Sequence, residues 1–142
     1  MTNAKSGVLD ASVAVKCFLD EAGSAAARGA VAGRADWIAP DLIFLEVASV
    51  ALKTMRRGLL QPTQGAAMVG GVSQLLAETV PAAALCEAAF QLAAEHGFSA
   101  YDAAYLALAR ARGATLLTAD MKLAERARAA GLGDLVVTLP TG

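Results

Sequence analysis

The stretch SAYDAAYLALARARGATLLTAD, residues 99–120, constrains how the rest of the chain can fold. Ser99, followed three residues later by Asp102, resembles a capping box and predicts a helix that begins directly after Ser99. Gly113 is a typical helix end, and the apolar run ATLLT after it predicts a strand. The helix covers about 16 Å at roughly 1.5 Å per residue, and the strand returns over about 20 Å. We therefore expect Asp102 and Asp120 to lie at the same edge of the molecule.

The composition indicates a folded chain without a general affinity for nucleic acid. Of the 142 residues, 56% are apolar and 18% are charged, which excludes disorder and suits one domain over residues 1–142. The formal net charge of −1 provides no broad basic field, so any contact with nucleic acid has to be local.

Cysteine usage and the N-terminus bear on the cellular compartment. Cys17 and Cys86 lack zinc-ligand spacing, and we expect two buried reduced thiols. The N-terminus lacks an apolar signal region, and no apolar run is long enough to span a membrane. The sequence therefore predicts a cytoplasmic protein without a membrane span.

Short apolar runs alternate with helical patterns along the chain. Strands are predicted at residues 7–10, 37–39, 79–80, 114–118 and 135–139. Helices are predicted at residues 12–19, 24–32, 42–57, 81–96, 100–112 and 121–130, and a further helix is predicted to begin at about residue 63. Asp41 is predicted to cap the helix at residues 42–57. Strands that alternate with helices predict a parallel sheet covered by helices on both faces.

Four acidic residues fall where such a sheet binds its ligands, beyond the carboxyl ends of the strands. Asp10 and Asp120 follow predicted strands, and Asp102 lies in the first turn of a helix that begins at that edge. Glu46 lies in the second turn of the helix entered from the second strand. Taken singly, each aspartate has an ordinary alternative role as a helix cap or as an acid favoured by the helix dipole. Taken together, the four carboxylates are expected at one edge.

Glu46 is the acid that packing explains least well. In LIFLEVASVAL, residues 42–52, nine of eleven residues are apolar, and a helix this apolar is buried on most sides. An ionised glutamate there is costly unless it is paired or bound to a cation. The alternative is a narrow solvent-exposed stripe along the helix, formed by Leu42, Glu46, Ser49, Lys53 and Arg56.

Convergent carboxylates call for a metal ion. They raise one another's pKa unless a cation neutralises them. Oxygen ligands without a Cys or His pattern suit Mg²⁺ or Mn²⁺ rather than zinc. Such an ion activates water and stabilises the charge that develops during phosphodiester cleavage, so we expect this class of chemistry.

The segments that carry these acids resemble a known family. VLDASVAVKCFLDE (8–21), APDLIFLEVASVAL (39–52), SAYDAAYLALA (99–109) and LLTADMKLA (116–124) strongly resemble the PIN-domain ribonucleases, and more narrowly the VapC toxins of bacterial toxin–antitoxin pairs. The resemblance covers nearly the whole chain in the same order and spacing. It implies a PIN-like three-layer α/β/α fold, with a five-stranded parallel sheet in the order 3-2-1-4-5 and helices on both faces.

Carried over position by position, the resemblance assigns four residues to the family's acidic site. These residues, called the acidic quartet below, are Asp10, Glu46, Asp102 and Asp120. The implied roles are both metal binding and catalysis. The three aspartates would hold Mg²⁺ or Mn²⁺ directly or through waters, and Glu46 would orient or deprotonate the attacking water.

Further polar residues have possible roles near this site. Ser12 and Thr118 match hydroxyl residues that accompany the first and last acids in the family, and a plain helix cap is the alternative for each. Lys16, Lys53 and Arg56 are candidate RNA contacts. Their alternative is an ordinary solvated surface.

The resemblance also implies partners and leaves rival functions open. It implies a toxin that acts as an endoribonuclease, together with a cognate VapB-like antitoxin and a homodimer. Residues 59–76 are a candidate surface for either protein partner. The alternative is that they form an ordinary helix that covers the core. One rival is a catalytically inactive PIN-like module for binding or dimerisation. Another is a phosphatase with Asp10 as nucleophile, although such enzymes usually have a second aspartate two residues later, where this chain has Ser12.

Overall fold

In this computed structural model the described residues are 6–140, and they form a parallel sheet flanked by helices. The strands are β1 (Gly7–Leu9), β2 (Ile38–Pro40), β3 (Glu78–Val80), β4 (Thr115–Thr118) and β5 (Val136–Thr138). The helices are α1 (Ala11–Phe18), α2 (Ser24–Ala32), α3 (Ile43–Arg56), α4 (Pro62–Leu75), α5 (Ala82–His96), α6 (Ala100–Arg112) and α7 (Met121–Ala129). A 3-10 turn, Gly133–Leu135, precedes β5. Within residues 6–140, no helix combines the length and apolarity needed to cross a membrane.

Strand β1 lies in the middle of the sheet, whose order is β3-β2-β1-β4-β5 with every neighbouring pair parallel. Its residue Val8 lies opposite Ile38 of β2 and Leu116 of β4, and all three side chains are buried. The expected α/β fold and the expected strand order are confirmed. Because parallel strands end at one edge, Asp10 after β1 lies at the centre of that edge.

The segment from α6 to β4 has the form that its sequence predicts. Ser99 Oγ accepts the Asp102 N–H at 3.0 Å at the start of α6. Gly113 ends the helix with a φ of 59°, a left-handed conformation that glycine adopts without strain. Residues 103–109 are all buried, so α6 passes through the core. Asp102 at its start and Asp120 after β4 therefore reach the same edge.

Asp41 has a different role from the predicted one. We expected its side chain to cap the helix after β2, but α3 begins at Ile43 without a side-chain cap, and Asp41 Oδ1 accepts the Ala82 N–H of α5 at 2.9 Å. The cause is the pairing of β2 with β3, since the Asp41 N–H donates to the Val80 carbonyl at 2.8 Å and so lies beside the start of α5. The later start of α3 also places Glu46 in its first turn rather than its second.

The two cysteines are free thiols, but they are not equally covered. Cys17 is partly buried and Cys86 is exposed, so the expectation of two buried thiols is wrong for Cys86. Helix α5 buries Leu85, Ala89 and Leu92 against the core. Cys86 directly follows Leu85 in the sequence. It faces outward because successive residues of a helix point about 100° apart.

Helix α4 contains adjacent glycines that should respond differently to alanine. A Cβ at Gly71 would meet the Phe18 ring of α1 at 2.7 Å, whereas nothing lies within 4 Å of a Cβ at Gly70. We expect Gly70→Ala to raise the free energy of unfolding by about 1 kcal/mol through helix propensity. Gly71→Ala must displace Phe18, so we expect it to be less stable than Gly70→Ala by at least about 1 kcal/mol. Urea denaturation measures both values, and equal stability of the two variants would contradict the close packing of α4 on α1.

Candidate metal centre

An open cleft of about 320 Å³ at the carboxyl edge of the sheet is lined by all four members of the acidic quartet. Asp10 follows β1 and Asp120 follows β4, while Glu46 and Asp102 lie in the first turns of α3 and α6. Four separate segments of the chain therefore contribute one carboxylate each. The other polar residues that line the cleft are Ser12, Ser49 and Lys53.

Asp10 is buried, and two hydroxyl groups hold it in place. Its Oδ2 accepts the Ser12 hydroxyl at 2.5 Å and the Thr118 hydroxyl at 2.7 Å. Each hydroxyl oxygen in turn accepts a backbone N–H, Ser12 from Ala119 at 2.9 Å and Thr118 from Asp120 at 3.0 Å. Ser12 and Thr118 therefore connect the first acid of the cleft to the backbone turn that carries the last one.

Asp120 and Asp102 also take part in helix starts. Asp120 Oδ1 accepts the N–H groups of Lys122 and Leu123 at 3.1 Å and caps α7, while Asp102 donates its backbone N–H to Ser99 at the start of α6. The capping alternative considered for Asp120 is thus a real structural role. Capping uses only the Oδ1 atom of Asp120. The Oδ2 atom of Asp120 has no hydrogen bond within residues 6–140.

Glu46 has a hydrogen-bond partner that the sequence analysis missed. The hydroxyl of Tyr105, a residue that is 1% exposed, donates to Glu46 Oε1 at 2.6 Å. The available signal was the position of Tyr105, three residues after Asp102 and hence on a neighbouring face of α6. A phenol inside an aliphatic buried helix requires a polar partner, which this carboxylate supplies.

Burial is the main cause that raises the pKa of Asp10, Glu46 and Asp102 above the ordinary values. Hydrogen bonds from neighbouring hydroxyl and amide groups partly oppose the shift. Repulsion adds to it, since Asp120 acts on Asp10, and Asp10 acts on both Glu46 and Asp102. Within residues 6–140, no lysine or arginine forms a salt bridge with any of the four acids. The charge of Arg126 acts on Asp102 and lowers its pKa, but no base in the described part of the chain forms an ion pair with the acidic quartet.

The donor set fits a hard divalent cation held in an open arrangement. Carboxylate oxygens without cysteine or histidine are the ligands that Mg²⁺ and Mn²⁺ prefer. In the described part of the chain, no three acidic, cysteine or histidine side chains converge closely enough to hold an ion as they stand. Binding would therefore use bridging waters or small side-chain rotations, which suits Mg²⁺ because it usually keeps several of its waters.

The three predicted RNA contacts lie in different places. Lys53 lines the cleft, and Arg56 lies exposed one turn further along α3. Lys16 lines a neighbouring groove instead, and its Nζ donates to Glu21 Oε1 at 3.2 Å and to the Ala22 carbonyl at 2.7 Å. Of these three basic residues, Lys53 alone faces the carboxylates.

Comparison with known proteins identifies the family to which this architecture belongs. Residues 7–129 match the PIN domain. Ribonuclease VapC3 of Pyrobaculum aerophilum is 36% identical over 121 residues, which cover 84% of this chain and 92% of that protein. The chain belongs to the PIN-domain family of VapC ribonucleases. Ribonuclease VapC9 of Mycobacterium tuberculosis is another relative, 31% identical over 122 residues that cover 86% of this chain and 91% of that protein.

A solved structure supports the PIN-domain fold independently of close sequence similarity. The crystal structure of PAE2754 from Pyrobaculum aerophilum superposes with a TM-score of 0.68 at 21% identity. The match covers 86% of this chain and 79% of that one. At this identity the likeness bears on the fold alone.

The raised pKa values predict how the stability of this PIN-domain protein depends on pH. A carboxyl group whose pKa is higher in the folded than in the unfolded state favours folding when it is protonated. We therefore expect the melting temperature of the metal-free protein to rise as the pH falls from 7 towards 4.5, as Asp10, Glu46 and Asp102 take up protons. Asp36 and Glu78 have lowered pKa values and oppose this trend only at lower pH.

Thermal denaturation in EDTA across this pH range measures the effect, with Asp102→Asn as the control. Removing one acid should flatten the pH dependence. Saturating Mn²⁺ should raise the melting temperature most at pH 7 and less on acidification, because protons compete for the ligands. A metal-free wild-type protein that loses stability steadily from pH 7 to 5 would contradict the electrostatic description of the cleft.

Proposed function

We propose that this PIN-domain protein is a metal-dependent endoribonuclease that hydrolyses RNA phosphodiester bonds, and that it acts as the toxin of a VapBC-like toxin–antitoxin pair. The observation that carries the proposal is the cleft in which four segments of the chain place one carboxylate each, with no salt bridge to a base among residues 6–140. The relatives named VapC ribonucleases support the choice of RNA as the substrate.

Each member of the acidic quartet has a proposed role. Asp10, Asp102 and Asp120 would hold Mg²⁺ or Mn²⁺ directly or through waters. The bound ion would supply stabilisation of the charge that develops on the phosphoryl oxygens. Glu46 would contribute to metal binding, directly or through a bound water, and would orient the attacking water and accept its proton. Proton acceptance suits a carboxylate whose pKa is raised by burial.

Basic residues near the cleft would hold the RNA backbone. Lys53 lines the cleft beside the carboxylates, and Arg56 lies one turn further along the same helix, so together they offer a short positive path for phosphates. Lys16 would reach RNA only where the substrate extends into the groove beside the cleft. These contacts would position RNA without selecting its sequence.

We also propose a cognate VapB-like antitoxin, a homodimer and a cytoplasmic site of action, where RNA substrates are present. Residues 59–76 are the proposed surface for a protein partner. Within them Leu59 is 73% exposed and Val69 of α4 is 36% exposed, while Met68 and Val72 of α4 are buried against the core. The surface therefore offers apolar side chains that folding of one chain leaves uncovered.

Cleavage of end-labelled RNA by the purified protein tests the proposal. We expect internal cuts in RNA with Mg²⁺ or Mn²⁺, no cuts in EDTA, and recovery when the metal is restored. The Asp102→Asn protein, purified identically, controls for contaminating nucleases. Absence of cleavage in a panel of transfer, ribosomal and messenger RNA would contradict the proposal and favour the inactive binding module. Equal cleavage by Asp102→Asn would show that the activity comes from elsewhere.

A further inference from the structure

Tyr105 lies in the core, and its hydroxyl group contacts Glu46, a residue that lines the acidic cleft. The side chain is 1% exposed and belongs to the main hydrophobic cluster, so packing fixes the ring. Its hydroxyl donates to Glu46 Oε1 at 2.6 Å. A residue of α6 is thereby joined to a residue of α3 that lies 59 positions earlier in the chain.

The hydrogen bond from Tyr105 is available to fix the orientation of the Glu46 side chain. Among residues 6–140, Tyr105 is the sole side chain that donates a hydrogen bond to the Glu46 carboxylate. The neighbouring side chains of Leu45 and Ser49 are exposed, so one side of Glu46 faces solvent. A flexible glutamate in such a position has several staggered side-chain conformations available unless a partner selects one.

We propose that Tyr105 is a positioning residue for Glu46, which holds the carboxylate over the cleft and leaves Oε2 available to a divalent ion or to its bound water. The inference rests on the proposed function and adds a residue that the acidic quartet does not include. Partners that orient metal ligands typically contribute about 10–100-fold in metal affinity or activity. The effect should therefore be measurable from metal binding alone.

Calorimetric titration with Mn²⁺ in the absence of RNA tests the inference. We expect Tyr105→Phe, which keeps the ring and its packing, to weaken Mn²⁺ binding about tenfold with little change in melting temperature. The matched control is Tyr101→Phe, which removes a hydroxyl from the same helix at a residue that is 66% exposed. Its Mn²⁺ affinity should equal that of the wild type.

A double-mutant cycle separates positioning from a general structural role. If Tyr105 acts through Glu46, Tyr105→Phe should have no further effect on Mn²⁺ affinity in a Glu46→Ala background. Three results would each overturn the inference. They are an unchanged Mn²⁺ affinity in Tyr105→Phe alone, an equal loss of affinity in the wild-type and Glu46→Ala backgrounds, and a wild-type protein that does not bind Mn²⁺. A wild-type protein that binds Mn²⁺ and follows this cycle but cuts no RNA would support the inference and contradict only the proposed endoribonuclease activity.

Discussion

Asp10→Asn should abolish RNA cleavage, with a rate at least about a thousandfold below that of the wild type. Asp10 follows the middle strand of the sheet and is 7% exposed. An asparagine has nearly the same shape, and its amide oxygen can still accept the hydroxyl groups of Ser12 and Thr118. The substitution therefore removes the negative charge at the centre of the cleft while most of its hydrogen bonds persist.

The control for this prediction is Asp134→Asn. Asp134 is exposed in the 3-10 turn before β5, so the same chemical change is made away from the cleft. Circular dichroism and the melting temperature should show that both variants are folded. We expect Asp134→Asn to cleave RNA at the wild-type rate, and an Asp10→Asn protein within about tenfold of that rate would exclude Asp10 from the metal site.

Thr118→Val should affect both stability and activity. The Thr118 side chain is fully buried, donates to Asp10 and accepts the Asp120 N–H. Valine has a similar volume but leaves both polar groups without this partner, so we expect a loss of about 1–3 kcal/mol in the free energy of unfolding. Because Asp10 and Asp120 would both lose orientation, RNA cleavage should fall by about 10–100-fold.

Thr115→Val is the matched control on the same strand. Thr115 is partly buried, and its side chain forms no hydrogen bond within residues 6–140. The same substitution there should leave cleavage unchanged and the free energy of unfolding within about 0.5 kcal/mol of the wild type. Denaturant titration and the RNA assay measure both effects. Similar losses in the two variants would mean that the Thr118 hydroxyl has no special part in the cleft.

Local sequence patterns were sufficient to place the carboxylates. Asp10 and Asp120 follow short apolar strands, and Asp102 sits in a helix start marked by Ser99, so the geometry of helix and strand brings them to one edge. Glu46 was predictable for another reason, since it interrupts an apolar helix. The strand order came from the family resemblance, because the alternation of strands and helices indicates a parallel sheet but does not fix the order in which its strands lie.

Contacts between distant segments were beyond the reach of these patterns. Tyr105 looks like an ordinary core aromatic in DAAYLALA, and its role depends on how α6 packs beside α3. Asp41 precedes one helix in sequence but caps another in space, because the pairing of β2 with β3 brings α5 to it. Lys16 lies one turn after Ser12 on α1, yet the loop that follows provides Glu21 as its partner.

The central claim is that the acidic quartet forms a divalent metal site, and crystals grown with Mn²⁺ test it most directly. Anomalous diffraction at the manganese absorption edge locates the ion without assumptions about its ligands. The account predicts a peak in the cleft, within direct or water-mediated reach of Asp10, Asp102 and Asp120. A peak bound elsewhere, or an empty cleft at millimolar Mn²⁺ and neutral pH, would contradict it.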